Sequence, residues 1–428
     1  MNILILGSGG REHSLAWKIS QSPKCTKLYL APGNAGTGTV AENVTIDLNN
    51  FLEVSDFIKQ KEIDLLIVGP EVPLVDGIRD FLESDLELKD LKIVGPGKEG
   101  ARLEGSKDYA KQFMNKYGIT TAGSETFTAA EYDQAIQYVE ELPLPIVLKA
   151  DGLAAGKGVI ICESHDQAKE TLEEMLLKEK FGEASRTVVI EDFLKGIEVS
   201  VFVVTDGKNY KILPEAKDYK PIGENNTGPN TGGMGSVSPV NFADAAFMKK
   251  VEDTIIRPTI DGLGSGNIPY KGFIFFGLMN IKGTPYNIEY NVRMGDPETQ
   301  VVLPRIKTDL VDLLTATAEG TLDAINVEID PRSAVTVVMA SGGYPGSYEK
   351  GHVITGTDLP LKDSIVFHAG TRLEHEKLTT QGGRVMAITG LGDHLQQAVD
   401  NAYAKVKLIH WENVYFRKDI GQDLLALE

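Results

Sequence analysis

The residues best suited to chemistry lie in one short stretch, where Glu289, Asn291 and Arg293 are spaced two positions apart. Flanking apolar residues predict a β-strand, in which alternate side chains point to the same face. The three polar groups would then lie roughly 6–7 Å apart along that face. A carboxylate, an amide oxygen and a guanidinium in this order could hold Mg²⁺ and a phosphoryl group in transfer. The turn at 295–298 disfavours the alternative, a solvated strand face.

A lysine and a glycine-rich segment indicate nucleotide binding. Lys149 follows the apolar run 145–148, and the segment 152–158 contains three glycines and Lys157. This segment is not a Walker loop, because its first spacer is one residue short and Lys157 precedes Gly158 rather than Ser or Thr. A mobile hairpin whose N–H groups and Lys157 cover ATP phosphates fits better. A flexible turn without a ligand is the alternative.

Two further segments could contact a ligand. Residues 191–194 follow an apolar run, where the backbone could bind adenine while Glu198 reaches the ribose hydroxyls. This signal alone is weak, since acidic residues end many strands. The glycine-rich segment 228–235 is incompatible with the interior of a helix or strand. It either exposes backbone donors to a ligand or only turns a corner.

A glycine-rich loop at 7–10 follows the apolar run 3–6 and precedes a predicted helix. The dinucleotide fingerprint requires glycine at position 12, where the chain has Glu12, so a nicotinamide-dependent dehydrogenase is disfavoured. A glycine loop at a helix N-terminus nevertheless suits phosphate, and Arg11 adds positive charge. A tight turn without a ligand is the alternative.

These motifs need elements that position them. Apolar strands followed by glycine loops begin near residues 3, 65 and 91, which predicts a doubly wound parallel α/β domain. Strands and a helix then alternate between 145 and 191 as a small α+β unit. Strands predominate again after Arg332, followed by a final helix near 395–408.

Composition limits the class of protein. The chain has 428 residues, of which 42% are hydrophobic and 24% charged, as expected for a soluble protein of several domains. Its formal net charge of −18 argues against nucleic-acid and anionic-membrane partners. Two cysteines and seven histidines form no disulfide framework and no zinc spacing. The apolar run at 3–6 is too short for a signal peptide, so we expect a cytoplasmic protein.

In this order, the motifs resemble the phosphoribosylamine–glycine ligase (glycinamide ribonucleotide synthetase) family of ATP-grasp enzymes. The resemblance covers essentially the whole chain and is carried by residues 7–13, 31–36, 69–71, 149–158, 229–235 and 293–300. The last three of these segments are very specific in combination.

The resemblance implies an α/β and α+β multidomain fold. An N-terminal domain at 1–102 would precede an ATP-grasp core at 103–328, with a mobile lid at about 122–192, and a strand-rich C-terminal domain at 329–428. The implied reaction joins glycine to 5-phosphoribosylamine with ATP, in purine biosynthesis, through a glycyl phosphate. Mg²⁺ or Mn²⁺ would be the cofactor, and we expect a monomer.

The resemblance also implies roles for individual residues. ATP would contact Lys107, Lys149, Lys157, Glu191, Phe193, Leu194 and Glu198. The other substrates would contact Gly9, Gly10, Glu71, Asp218, Thr231, Gly232, Gly233 and Asp296. Glu289 and Asn291 would hold the metal, and Arg293 would act at the reacting groups.

The chain departs from the family pattern in two places. Residues 218–221 read Asp-Tyr-Lys-Pro, where the family usually has His and Arg around the lysine. The strand predicted at 273–279 carries no acid, although many ATP-grasp enzymes have a second metal ligand there. The alternatives to this family's reaction are another ATP-grasp carboxylate–amine ligase, a carboxylase and a non-catalytic nucleotide-binding module.

Overall fold

The N-terminal part of the chain is a parallel sheet with helices between its strands. The computed structural model describes residues 1–153 and 158–427. The first elements are β1 (Asn2–Gly7), α1 (Gly10–Ile19), β2 (Lys27–Pro32), β3 (Glu42–Asn43), α2 (Phe51–Gln60), β4 (Leu65–Val68), α3 (Glu71–Asp76), α4 (Ile78–Glu83), β5 (Lys92–Val94) and α5 (Lys98–Gly105). The strand order β3-β2-β1-β4-β5 is that of a doubly wound sheet, and it brings the glycine loops after β1, β4 and β5 to one edge.

The middle of the chain contains two four-stranded antiparallel sheets, β6-β9-β7-β8 and β11-β10-β16-β17. Its elements are α6 (Lys107–Lys116), β6 (Ser124–Thr128), α7 (Tyr132–Glu141), β7 (Ile146–Ala150), β8 (Val159–Cys162), α8 (His165–Leu172), β9 (Thr187–Asp192), β10 (Ile197–Thr205), β11 (Tyr210–Ile212), β12 (Lys217–Asp218), β13 (Pro221–Gly223), β14 (Thr227–Asn230), β15 (Gly235–Ser238), α9 (Ala245–Val251), α10 (Arg257–Ser265), β16 (Gly272–Ile281), β17 (Thr284–Asn291), α11 (Thr299–Val302) and α12 (Leu310–Glu319). We call β6–β9 the lid sheet and β10, β11, β16 and β17 the central sheet.

The last part of the chain is strand-rich, as predicted. Its elements are β18 (Ser333–Ser341), β19 (Ser364–His368), β20 (Thr371–Glu374), β21 (Lys377–Thr380), β22 (Arg384–Gly392), α13 (Leu395–Val406), β23 (Val414–Tyr415) and α14 (Gln422–Leu425). The main sheet has the order β12-β15-β18-β22-β19, and β23 pairs with β18. Strands β12 and β15 come from the middle of the chain, so this sheet spans a boundary that the sequence predicted near residue 329.

The lid sheet has a hydrophobic core of its own. Ile146, Leu148 and Ile190 belong to one buried cluster that contains only residues of the lid sheet and its helices. By contrast, Leu4 and Val337 share a second cluster with residues of the central sheet. Burial of apolar surface therefore joins the N-terminal, central and C-terminal sheets more closely than it joins the lid sheet to them. Within residues 1–153 and 158–427, no helix is both long and apolar enough to span a membrane.

Candidate active site

A cavity of about 410 Å³ is lined by residues from the lid sheet, the central sheet and the C-terminal sheet, and by residues from the helices of the N-terminal part. Its lining includes many of the residues that the sequence suggested: Glu71, Lys107, Lys149, Glu191, Asp218, Thr231, Gly232, Glu289, Asn291, Arg293 and Asp296. The described lining has seven lysine and arginine side chains and seven carboxylates. The cavity is therefore formally neutral in a chain of net charge −18, and an anionic substrate meets far less repulsion there than at the surface.

One end of the cavity is built around the buried carboxylate of Glu191. Its Oε2 lies 2.9 Å from Lys149 Nζ and 3.3 Å from Lys111 Nζ. Lys149 lies on β7 and Glu191 on the neighbouring strand β9, while Lys111 comes from α6. Burial lowers the pKa of Lys111 to about 8, although the charge of Glu191 opposes this shift. Two lysines share one carboxylate, which leaves one surplus positive charge. A bound polyanion could pair with that charge while Glu191 stays paired.

Lys107 lies in the first turn of α6, which is capped by the Ser106 side chain. Its Nζ donates to the Gly152 carbonyl oxygen at 3.1 Å. Burial lowers its pKa, and the charge of Glu289 opposes that effect. Lys107 thus connects the cavity to the glycine-rich segment before β8. Lys157, which we expected to contact ATP, lies outside the described residues.

The two residues predicted to hold a metal, Glu289 and Asn291, lie next to a β-bulge. We call these two residues the metal edge. Gly277 of β16 pairs with Glu289, and Leu278 pairs with Asn287, which leaves Ile288 as the extra residue on β17. The carbonyl oxygen of Ile288 accepts the Lys149 Nζ hydrogen bond at 3.2 Å. After the bulge, Glu289 and Asn291 both line the cavity, as the two-residue spacing predicted.

The expectation that Arg293 shares this strand face is wrong, because β17 ends at Asn291. Arg293 follows the strand, and its Nη2 lies 2.7 Å from Glu104 Oε1. Its Nε lies 3.4 Å from Glu71 Oε2 without hydrogen-bond geometry, and it has no acceptor among the described residues. A buried donor without a partner inside the cavity suits an anionic ligand.

The carboxylate of Glu289 is stabilised by its lysine neighbours. Burial alone would raise its pKa, but the charges of Lys220, Lys149 and Lys107 outweigh burial and lower it. In the described part of the chain, no group of three His, Cys, Asp or Glu side chains could hold a metal ion. Glu289 and Asn291 offer a carboxylate and an amide oxygen, which fits an Mg²⁺-like ion that takes its remaining ligands from phosphates and water.

The first glycine loop is occupied by the protein's own carboxylate. Glu12 is 2% exposed, and its Oε2 accepts the Gly9 N–H at 2.7 Å. Arg11 Nε donates to Glu12 Oε1 at 2.6 Å. Glu12 therefore takes part of the position at the α1 N-terminus where a phosphate would bind. Gly9 and Gly10 lie beside the Asp296 carboxylate and outside the cavity lining.

The glycine-rich segment 228–235 contacts the C-terminal sheet. Arg384 Nη1 donates to the Gly232 carbonyl oxygen, and Arg384 Nη2 lies 3.2 Å from Asp296 Oδ2. Thr231 Oγ1 donates to the Lys220 carbonyl oxygen at 2.7 Å. Gly233 has φ +109°, a backbone conformation that favours glycine. Thr231 and Gly232 line the cavity, and Gly233 does not.

Asp218 and Lys220 lie on the cavity wall next to the metal edge. Lys220 Nζ lies 2.8 Å from Glu198 Oε2 and 3.6 Å from Glu289 Oε1. Burial raises the pKa of Asp218 and that of Glu298, and the charge of Asp218 adds to the shift of Glu298. Both carboxyls therefore take up a proton more readily than an exposed carboxyl does.

The predicted adenine and ribose contacts lie at the margin of this region. Phe193 is 36% exposed, Leu194 is half-buried, and neither residue lines the cavity. Glu198 is also outside the lining, although it reaches the wall through Lys220. Their assignments to ATP remain predictions.

Sequence reasoning missed several residues of the cavity. Lys111, Glu104 and Glu298 lie on helices or turns whose pattern reads as ordinary amphipathic structure. Arg384 begins a C-terminal strand and reaches the cavity only through the tertiary fold. A usable signal existed for Lys220, because it alternates with Asp218 and should share its face in an extended chain.

A parallel sheet, a lid sheet and a central sheet around one cavity, in which lysines and arginines balance the carboxylates, define an ATP-grasp enzyme. Models of the phosphoribosylglycinamide synthetase N domain, ATP-grasp (A) domain and C domain match residues 1–104, 105–299 and 334–423. The chain belongs to the phosphoribosylglycinamide synthetase family.

Individual relatives agree with this assignment. A phosphoribosylamine–glycine ligase from Pseudomonas syringae pv. tomato is 45% identical over an alignment of 432 positions, which covers 100% of this chain and 99% of the relative. The crystal structure of a phosphoribosylamine–glycine ligase from Thermotoga maritima is 36% identical, with a TM-score of 0.84 over 98% of this chain and 100% of that chain. A biotin carboxylase from Campylobacter jejuni shares the fold alone, at 15% identity and a TM-score of 0.74 over 99% and 94% of the two chains. The predicted family, fold class and enzyme class are confirmed.

Proposed function

We propose that this enzyme joins glycine to 5-phosphoribosylamine, with conversion of ATP to ADP and phosphate, and so forms glycinamide ribonucleotide for purine biosynthesis. One observation carries the proposal beyond family membership. The Glu191 lysine pair, the Glu289–Asn291 edge and the Arg293 guanidinium meet in one cavity. Such a cavity suits a reaction in which two anions, a carboxylate and a triphosphate, must be brought together.

In the proposed first step, a glycine carboxylate oxygen attacks the γ-phosphorus of ATP. The bond from that phosphorus to the β–γ bridging oxygen breaks, which gives ADP and glycyl phosphate. Lys107 and Lys149 would neutralise the phosphates, and Arg293 Nε would donate to the reacting oxygens. The protein would contribute positioning and charge neutralisation rather than a covalent intermediate.

In the proposed second step, the amine of phosphoribosylamine attacks the glycyl carbonyl carbon. The bond from that carbon to the phosphate oxygen breaks, so phosphate leaves and an amide remains. A glycyl phosphate is sensitive to water, and a closed lid sheet would protect it. The lid sheet has a hydrophobic core of its own, which supports closure of the lid sheet as one unit.

We propose Mg²⁺ or Mn²⁺ as the divalent ion, held by Glu289 and Asn291. When bound, such an ion supplies positive charge to the phosphoryl oxygens and orients the triphosphate. The lowered pKa of Glu289, which its lysine neighbours cause against the effect of burial, keeps the carboxylate ionised for this role.

The finer predictions belong to the same proposal. We propose a cytoplasmic monomer whose substrates are ATP, glycine and 5-phosphoribosylamine, without nucleic-acid or membrane partners. The net charge of −18 supports the exclusion of nucleic acid. The domain boundaries near residues 102 and 328 are also retained as proposals.

Phosphate release with each substrate omitted in turn tests the function. We expect release to require ATP, glycine and phosphoribosylamine together, with one glycinamide ribonucleotide formed per phosphate. Release that needs bicarbonate instead of glycine would favour a carboxylase. Bound nucleotide without turnover under all conditions would favour a non-catalytic module.

A further inference from the structure

Residues 217–220 present different neighbours on their two sides. Asp218 and Lys220 line the cavity, and Lys220 pairs with Glu198 at 2.8 Å. Lys217 and Tyr219 alternate with them and contact the end of the chain instead. A displacement of this strand would therefore change the cavity wall directly.

Tyr219 is fixed by the C-terminal residues. It is 2% exposed, and its Oη donates to Asp423 Oδ1 at 2.5 Å and accepts the Gly421 N–H at 3.1 Å. Lys217 Nζ also pairs with Asp423 and lies 4.0 Å from the centre of the Tyr219 ring. Burial would raise the pKa of Asp423, but the hydrogen bonds from Lys217 and Tyr219 outweigh burial and lower it.

Residues 221 and 222, which follow Lys220, accept hydrogen bonds from the C-terminal segment 415–423. Arg417 is 1% exposed, and its Nη1 donates to the Pro221 carbonyl oxygen at 3.1 Å. Its Nη2 lies 2.7 Å from Asp419 Oδ2. Tyr415 Oη donates to the Ile222 carbonyl oxygen at 2.8 Å. The segment 415–423 thus contacts both Tyr219 and the backbone after Lys220.

The two departures from the family pattern lie at this contact. Tyr219 and Pro221 stand where the family usually has His and Arg, and both touch the segment 415–423. We propose that this segment positions Asp218 and Lys220 for the reaction, with Tyr219 and Asp423 as positioning residues. The inference rests on the proposed function, because it assigns the cavity wall to that reaction.

Tyr219→Phe is the most direct test, because it removes one hydroxyl and keeps the buried ring. Asp423→Ala removes the acceptor of that hydroxyl, and the double variant completes a cycle. Tyr210→Phe is the matched control. Tyr210 Oη donates to Glu252 Oε1 at 2.7 Å, and neither residue lines the cavity. Each variant is assayed for kcat, for the KM of ATP, for melting and for hydrogen exchange at residues 217–223.

We expect Tyr219→Phe to lower kcat by roughly ten- to a hundredfold, since a misplaced group of this kind can cost about that much. The KM of ATP should change less, and the double variant should be no slower than the slower single variant. Hydrogen exchange at 217–223 should accelerate in Tyr219→Phe and stay unchanged in Tyr210→Phe.

Three activity results would overturn the inference: an unchanged kcat in Tyr219→Phe, losses that multiply in the double variant, or an equal loss in Tyr210→Phe. Unchanged hydrogen exchange at 217–223 in Tyr219→Phe would overturn it without reference to activity. Failure of the unaltered protein to form product would instead contradict the proposed function, so the two failures are distinguishable.

Discussion

Replacing Lys149 by methionine should weaken ATP binding and leave the fold intact. The change keeps a long apolar side chain and removes the ammonium group that donates to Ile288 O at 3.2 Å and pairs with Glu191 at 2.9 Å. Loss of one charge-assisted contact with a phosphate should cost about 1.5–3 kcal/mol of binding free energy. The dissociation constant for ATP should therefore rise roughly ten- to a hundredfold.

The same contacts predict the effect on stability. In Lys149→Met, Glu191 keeps Lys111 at 3.3 Å, so the buried carboxylate is still paired. We expect a loss of about 1.5–3 kcal/mol in unfolding free energy, as for one charge-assisted hydrogen bond. Glu191→Gln leaves both lysines without their carboxylate and should cost more, about 3–5 kcal/mol.

Titration calorimetry with ATP and Mg²⁺ measures the binding effect, and denaturant unfolding measures stability. Lys169→Met is the control. Lys169 Nζ forms an exposed ion pair with Glu140 Oε1 at 2.6 Å, and neither residue lines the cavity. It should leave ATP affinity unchanged. An unchanged ATP affinity in Lys149→Met, together with reduced stability, would show that Lys149 only partners Glu191 and would refute its assignment to the nucleotide site.

The remaining predictions concern the metal edge, the ribose contact and the lid sheet. Glu289→Gln should lose most turnover and recover part of it at higher Mg²⁺. Arg293→Ala should lose turnover without such recovery, because the charge of Arg293 would act on the transition state. Steady-state assays across Mg²⁺ concentrations compare the two variants, and identical rescue by Mg²⁺ would contradict their separate roles. Glu198→Ala should weaken ATP binding about tenfold by calorimetry, and an unchanged affinity would remove Glu198 from the ribose site. Hydrogen exchange at residues 146–153 and 158–162 should slow when ATP and Mg²⁺ are added, while equal exchange in both states would exclude lid closure.

Local patterns were sufficient where a structure depends on near neighbours. The apolar run before Lys149 and the run 159–162 predicted the antiparallel pair β7–β8, which the structure contains. Glycine loops after apolar runs predicted the parallel sheet in the same way. Two-residue spacing placed Glu289 and Asn291 together, since alternation in a strand is a local property.

Features that depend on distant partners could not be predicted. The bulge at Ile288 exists because β16 and β17 change register, which a single strand does not reveal. Arg384 reaches Gly232 across 152 positions of the chain. Glu12 caps its own glycine loop, although the loop alone suggested a phosphate site. The bulge and the Arg384 contact depend on segments far apart in the chain. The contact between Gly9 and Glu12 is local, but the glycine pattern alone does not reveal it.

The fate of the glycine carboxylate oxygens tests the central claim most directly. If glycyl phosphate forms, one of these oxygens must leave with the phosphate when the amine attacks. Glycine labelled with heavy oxygen in its carboxylate should therefore give singly labelled inorganic phosphate, in step with glycinamide ribonucleotide formation, as measured by mass spectrometry. Unlabelled phosphate from an enzyme that forms the amide product would contradict the acyl-phosphate route.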